Sequence, residues 1–454
     1  MSDAAARPSF KKVLVADRGE TAVRVIRACR ELSLPSVAVY SAPDRDSLPV
    51  MLADEAVCIG PAPAQDSYHN VSRVLSAAEI TGCDAVHPGT GALAESPEFA
   101  DATESVGLHF IGPDAETIRR MRDKIAGRRL ARDAGLAVVP GSEDEVADVA
   151  EATKLCAALG YPVMVKTAVG AGPKNKHVIR RDRDLETGFR MAQADAKAVF
   201  GDGRVYIEKF VPDARHVEVP VLADRHGNIV ALPETDCSVQ FRWRKLLEES
   251  PSPAIDADAR ARLREWATAV ARAAGLTGPG VVEFIADASG NCHFAELDCR
   301  LHIEHPVTEM VTGVDVVRHQ LLAAAGEELV IAEPGRFVGH AIECRINAED
   351  PDAGFEPTTG LLTDVRFAGG PGVRVDSYIA AGYVVPPHYD SLLAKLVVWA
   401  PDRSRAIARL ERALAETVVE GPATTLGLHR RLARSGRFRR GRLLIGMLDA
   451  ELGP

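Results

Sequence analysis

The sequence predicts a mixed α/β protein of several domains: an open parallel sheet first, then a sheet unit with a small subdomain, then a shorter C-terminal α/β region. Apolar strand-like runs alternate with helix-like ones from Lys12 to Pro113. Two alternating segments, Val281–Ile285 and Glu296–Glu304, flank turn-forming residues. At 454 residues, the chain is also too long for one compact core and suits two to four domains.

Lys12–Ala16 reads as a short buried strand, followed by Arg18-Gly19-Glu20 and a helix carrying Ala22, Val25, Ile26 and Cys29. Ser36–Tyr40 opens the next unit, and the alternation ends at Phe110-Ile111-Gly112-Pro113, the pattern of crossover-connected parallel strands. Arg18 falls at a strand's carboxyl end, where such sheets bind ligands; a structural ion pair is the other role open to it. A helical region with Ile118, Met121, Ile125 and Leu130 follows. From Val138 to Val211 a smaller unit holds strands at 162–166, 178–180 and 205–209 and a helix near 185–198. The main sheet is expected from His216 to about Gly326, and the C-terminal region begins at Gly339–Arg345.

With 46% hydrophobic and 26% charged residues, the composition is globular, and a net charge of −10 argues against a general nucleic-acid binder. The basic stretch from Arg430 to Arg442 is interleaved with Leu432, Phe438, Leu443 and Leu444, which suits a helix end or subunit contact. Eight scattered cysteines without a C-x-x-C pair suit reduced thiols in a cytoplasm. No apolar run reaches membrane-spanning length, and Met1–Pro8 has no signal core, so a cytoplasmic location with no membrane association is expected.

Between 296 and 304 the alternation is strict: Glu296, Asp298, Arg300, His302 and Glu304 fall on one strand face, with Leu297, Cys299, Leu301 and Ile303 on the other. A salt-bridged solvent face would show the same pattern. Asp287–Asn291 supplies hairpin chemistry, and pairing with Val281–Ile285 would bring Glu283 close to Glu296 and Asp298. Three converging carboxylates call for a cation, and hard oxygen donors select Mg²⁺ or Mn²⁺. Lys166 ends an apolar strand before Thr167–Pro173, where glycines would admit phosphate oxygens to backbone N–H groups.

Glu296-x-Asp298-x-Arg300-x-His302-Ile303-Glu304-His305-Pro306-Val307-Thr308-Glu309 resembles the signature of biotin carboxylase, an ATP-grasp enzyme. The likeness also covers Ala16–Glu20, His87–Gly91, Phe110–Pro113, Met121–Lys124, Arg215–Glu218 and Glu343–Asp350, nearly end to end. It implies a pre-ATP-grasp domain over 1–117, an ATP-grasp domain over 118–335 with its lid at about 138–211, and a biotin carboxylase C-terminal domain over 336–454. It further implies that Lys124, Lys166, Gly170 and Gly172 meet ATP phosphates and that Glu208, Lys209, Phe210 and Val211 surround the adenine, with His216 and Gln240 nearby. Glu283, Glu296 and Asp298 would hold metal; Lys245, Arg300 and the backbone of Ile303 would hold bicarbonate; Glu304 would be the general base; Arg345 would face biotin.

The chain departs from the family pattern at several positions. Val169, Ala171 and Pro173 interrupt the glycine run of the lid, where Lys174, Lys176 and His177 offer side-chain charge instead. Asp298 stands for the usual Asn, His302 for Gln, and Thr90 and Trp243, expected around the acceptor side, for Tyr and His. The resemblance implies MgATP- and bicarbonate-dependent carboxylation of biotin through carboxyphosphate, as the biotin carboxylase component of a multi-subunit acetyl-CoA or other acyl-CoA carboxylase. A homodimer working with a separate biotin carboxyl carrier protein and carboxyltransferase subunit is expected, since the chain carries no Ala-Met-Lys-Met signal. The altered positions leave open a divergent ATP-grasp ligase that activates bicarbonate or a carboxylate for a non-biotin acceptor.

Overall fold

The computed structural model describes residues 9–170, 176–333 and 335–452. Strands β1 (Val13–Val15), β2 (Ser36–Ser41), β3 (Glu55–Gly60), β4 (Ala85–His87) and β5 (His109–Phe110) form a parallel sheet in the order β3-β2-β1-β4-β5. Helix α1 (Gly19–Glu31) starts just past β1 and buries Ala22, Val25, Ile26 and Cys29, the stripe its periodicity predicts. Arg18 takes the structural role. Its guanidinium grips Asp44 through Nε and Nη2, both at 2.9 Å, and lies 4.2 Å from the centre of the Tyr389 ring. Gly89 has φ +75°, and a Cβ there would sit 1.8 Å from Asp17 Oδ2, so the turn after β4 needs glycine.

The smaller unit is a three-stranded antiparallel sheet of β6 (Val163–Thr167), β7 (Lys176–Ile179) and β8 (Val205–Lys209), with β6 central. Alternation divides its faces: Val163, Val165, Ile179, Val205 and Ile207 pack on Phe189, Ala192 and Ala196 of the helix Leu185–Phe200. The opposite face therefore carries Met164, Lys166, Lys176 and Glu208 into a cavity.

The main sheet is antiparallel and larger than expected. Strands β9 (Arg215–Ala223), β10 (Ile229–Ala231), β11 (Thr235–Phe241), β12 (Arg244–Ser250), β13 (Gly278–Ala286) and β14 (Cys292–Asp298) lie in the predicted span. The sheet does not stop near Gly326, because β15 (His340–Asn347) pairs with β12, and Leu392–Ala400 and Val373–Ser377 follow. An unpaired β12 edge would leave backbone polar groups beside the apolar Leu246 and Leu247; β15 covers them with the buried residues Ala341, Ile342, Cys344 and Ile346. All eight cysteines are free thiols, and no described helix is long and apolar enough to cross a membrane.

Candidate active site

The hairpin of β13 and β14 sets the site. Asp287 Oδ1 accepts from the backbone N–H groups of Ser289 at 2.8 Å and Asn291 at 2.9 Å, closing the turn. The resulting register places Glu283 opposite Glu296 and Val281 opposite Asp298, so the three carboxylates share a face. The strand then ends at Asp298, earlier than the alternation to Glu304 predicts. Glu304 instead precedes the helix His305–Thr312, whose first turn contains Pro306, and buried Leu301 draws the intervening chain into the core beneath α1. Arg300, His302 and Glu304 reach the site from this turn rather than from a strand.

A cavity of about 550 Å³ lies between the small sheet and the main one. It is lined by Lys166, Glu208, Lys209, Phe210, Val211, His216, Gln240, Glu283 and Glu296 among the predicted residues, and by Lys176 and Trp243. Lys124 and Gly170 line an adjoining cleft with Asp298 and Glu95, while Gly172 lies outside the described residues. Lys166 pairs with Glu208 at 3.1 Å, and Arg128 holds the other oxygen of that carboxylate. The Lys209 ammonium turns away, donating to the carbonyls of Gly160 at 2.8 Å and Tyr161 at 3.3 Å, so its part in the cavity wall is not its charge. His216 bridges Gln240 at 2.7 Å and Glu283 at 2.9 Å. Trp243 faces this cavity and not the acceptor side expected for it; its two-residue turn between β11 and β12 projects toward the small sheet.

Deeper in, Glu304 is gripped from three directions. Lys245 Nζ is 2.7 Å from Oε1, His302 Nδ1 is 3.2 Å from the same oxygen, and Arg345 Nη2 donates to Oε2 at 2.9 Å. Lys245 also meets Glu218 and lies 3.6 Å from Glu283, and His302 Nε2 is 2.9 Å from Asp298 Oδ2. Arg345 lies 2.6 Å from Glu248 through Nε, but without the alignment of a hydrogen bond. Arg300 does not pair with Glu304; its fork is held by Glu95 and, at 3.3 Å, by Asp298. Ile303 contributes backbone, its carbonyl accepting from Lys395 at 2.9 Å.

The charges follow from these contacts. Burial pushes Glu304 up, but Lys245 and His302 outweigh it and hold the carboxyl well below its usual range. Burial likewise opposes the charge on His302, yet Glu304 and Asp298 raise its imidazolium well above the usual histidine value. Glu218 is raised by burial and by Glu304. Asp298 is resisted by burial but brought down to about 2 by His302 and Arg300.

Three donor groups among the described residues are close enough to share a metal: His216, Glu218 and Glu283; Glu218, His302 and Glu304; and Glu283, Asp298 and His302. Glu283 and Asp298 offer the hard carboxylate oxygens that suit Mg²⁺. The expected trio is not gathered as one cluster, because Glu296 is turned to Lys124, whose ammonium neutralises it. Arg128, Glu218 and Glu95 were not singled out as site residues from sequence. Arg128 follows Lys124 by four residues on one helix, a shared-face signal available in the sequence; nothing local marks Glu95.

Three families match in chain order: "Biotin carboxylase, N-terminal domain" over residues 9–118, "Carbamoyl-phosphate synthase L chain, ATP binding domain" over 123–332, and "Biotin carboxylase C-terminal domain" over 343–450. Biotin carboxylase 1 of Bacillus subtilis is 48% identical over 431 residues, 94% of this chain and 96% of the relative. The biotin carboxylase domain dimer of Hydrogenobacter thermophilus 2-oxoglutarate carboxylase, solved with MgADP, ADP and bicarbonate, superposes with a TM-score of 0.95 at 41% identity, covering 97% of this chain and 98% of that one. Biotin carboxylase from Campylobacter jejuni, solved as a β-γ-ATP complex, gives a TM-score of 0.95 at 38% identity, covering 99% of this chain and 100% of that one.

Proposed function

Because this chain belongs to the biotin carboxylase family and is an ATP-dependent ligase of the ATP-grasp type, we propose that it is the biotin carboxylase component of a multi-subunit acetyl-CoA or other acyl-CoA carboxylase. It carboxylates biotin on a separate carrier protein at the expense of ATP and bicarbonate. The observation that carries the reading is Glu304 held between Lys245 at 2.7 Å and Arg345 at 2.9 Å, beside a nucleotide-sized cavity.

Glu208–Val211 flank the adenine, and Lys166 and Lys124 carry charge to the phosphates. Glu283 and Asp298, with Glu296 once Lys124 turns to phosphate, would hold Mg²⁺, which supplies charge neutralisation at the phosphates. Bicarbonate sits on Lys245, Arg300 and the Ile303 backbone, where the planar fork of Arg300 matches a planar oxyanion. When Lys245 shifts from Glu304 to the substrate oxygen, the carboxylate loses its strongest attractive partner and becomes basic enough to take the bicarbonate proton. The freed oxygen attacks the γ-phosphorus, giving carboxyphosphate and ADP. Arg345 then opposes the negative charge that develops on the biotin ureido group as N1′ loses its proton and takes the carboxyl group from carboxyphosphate, whose C–O bond breaks to release phosphate.

His302 and Asp298 fit this scheme as a pair. The carboxylate that replaces an amide adds a negative charge, and the adjacent imidazolium cancels it, so the bicarbonate pocket keeps its attraction for an anion. A homodimer, a carrier protein and a carboxyltransferase complete the assembly, and the free thiols suit a reducing cytoplasm. Bicarbonate-dependent ADP release, measured with and without free biotin, tests the reading. Stimulation by biotin and 14C fixed on it are expected; equal turnover without any biotin overturns it in favour of another acceptor.

A further inference from the structure

Lys124, Lys166, Lys245 and Lys395 are deep in the molecule, and each faces a carboxylate: Glu296, Glu208, Glu304 and Glu20 respectively. Lys176 differs. It lines the nucleotide cavity, yet among the described residues it makes no ion pair, and its ammonium lies 5.3 Å from the centre of the Trp243 ring. Pairing of β6 with β7 sets Lys176 directly opposite Lys166, so both side chains leave the small sheet on the cavity face.

Trp243 is held there at some cost. Arg242 and Trp243 form the two-residue turn between Phe241 and Arg244, with φ of +46° and +65°. Such a turn favours Asn-Gly, and side-chain-bearing residues persist in it only where surrounding contacts hold them. Asp449 does so, accepting from the Arg242 N–H at 2.9 Å. The indole thus projects from the main sheet toward a lysine of the small one.

A cation inside a cavity with a π face on one side and, among the described residues, no carboxylate in ion-pair contact is incompletely neutralised until a ligand arrives. Burial, with Lys166 and Lys124 nearby, pushes the Lys176 ammonium down to about 7, against the pull of Glu283 and Glu208. A polyanion in the cavity reverses that balance. The need is also written in the sequence, since Pro173, three positions before Lys176, has no N–H to offer a phosphate.

We infer that Lys176, braced by Trp243, is a third lysine ligand for the phosphate chain of the bound nucleotide, joining Lys124 and Lys166 and joining the two sheets across the cavity as it binds. The inference rests on the nucleotide-binding reading above and adds a residue pair to it. Calorimetry on the full chain with adenosine, AMP, ADP and ATP separates the two. Lys176→Met should weaken ADP and ATP roughly tenfold or more, the scale of a lost charge-assisted contact, and leave adenosine unchanged. Lys176→Arg should stay within about threefold of the parent, since it keeps the charge and the stacking. Trp243→Leu should lower ADP affinity in the same direction, and Trp243→Phe should retain most of it. Quenching of indole fluorescence by ADP should vanish in Trp243→Phe. Full ATP affinity in Lys176→Met, with Lys166→Met impaired, overturns the inference and leaves the reading standing. An equal loss of adenosine overturns it too, making Lys176 part of the purine wall. If neither lysine variant changes ATP binding, the inference falls together with the reading.

Discussion

His302 Nε2 stands 2.9 Å from Asp298 Oδ2, so two positions at which this chain departs from the family pattern are partners of each other. An aspartate alone would repel an anionic substrate; the imidazolium beside it restores the balance, and Arg300 shares the same oxygen at 3.3 Å.

A double-mutant cycle should expose this coupling. His302→Gln, which leaves the Asp298 charge uncancelled, is expected to lower kcat/KM for bicarbonate about tenfold, whereas Asp298→Asn, which removes the repelling charge, should not lower it, and the double variant recovers to within about threefold of the parent. The check is ADP release at varied bicarbonate. Losses that simply add would show that the two substitutions act independently.

Glu304→Gln should cut kcat by roughly two orders of magnitude or more while ADP affinity stays near the parental value, because the glutamate meets Lys245, His302 and Arg345 and lies outside the nucleotide cavity wall. Single-turnover ADP formation beside calorimetry of ADP makes the separation. Parental turnover in this variant would remove Glu304 from the role of base.

Glu95 holds the Arg300 fork. Glu95→Gln should therefore loosen the arginine without deleting it, raising KM for bicarbonate several-fold with little change in KM for ATP. Initial rates at varied bicarbonate and varied ATP measure both. An equal rise in both constants would point to a general disturbance of the cleft.

Acid should weaken the fold through two buried histidines. Burial lowers His87 and His429 from 6.5 to about 4, and His429 Nε2–H donates to the Arg345 carbonyl at 2.7 Å. Their folded values lie below the unfolded one, so the stabilisation is complete above pH 6.5 and is lost as pH falls through 6.5 toward 4. The two shifts amount to about 3 kcal/mol each. Urea midpoints between pH 7 and 4 should fall, and His429→Gln should flatten the slope; an unchanged slope would assign the acid sensitivity elsewhere.

The strand-helix alternation ending at Pro113 and the facing of Glu283 with Glu296 were legible because both are short-range patterns with periods of their own. The early end of β14 was also written in the chain, since Pro306 marks a helix start two residues past Glu304, but the regular alternation concealed it. Trp243 illustrates what was not legible. Its substitution was visible, whereas its contact with Lys176, 67 positions away, depends on how two sheets face each other. The same holds for Glu95 on Arg300, separated by 205 positions. Sequence periodicity reports which face a residue occupies, and long-range pairing decides what it meets there.

The unbroken path of strands from β14 through β12 and β15 to Val373–Ser377 works as a gauge block. Lys245 rides on β12 and Arg345 on the adjacent β15, so their separation is set by a ladder of backbone hydrogen bonds and not by a hinge. A shift of the small sheet would therefore leave the span between Lys245 and Arg345 untouched. Cutting the chain in the stretch before His340 would take strands from within this sheet and strip Leu246 and Leu247 of cover. The two pieces should regain activity only when mixed and allowed to zip together along β12 and β15.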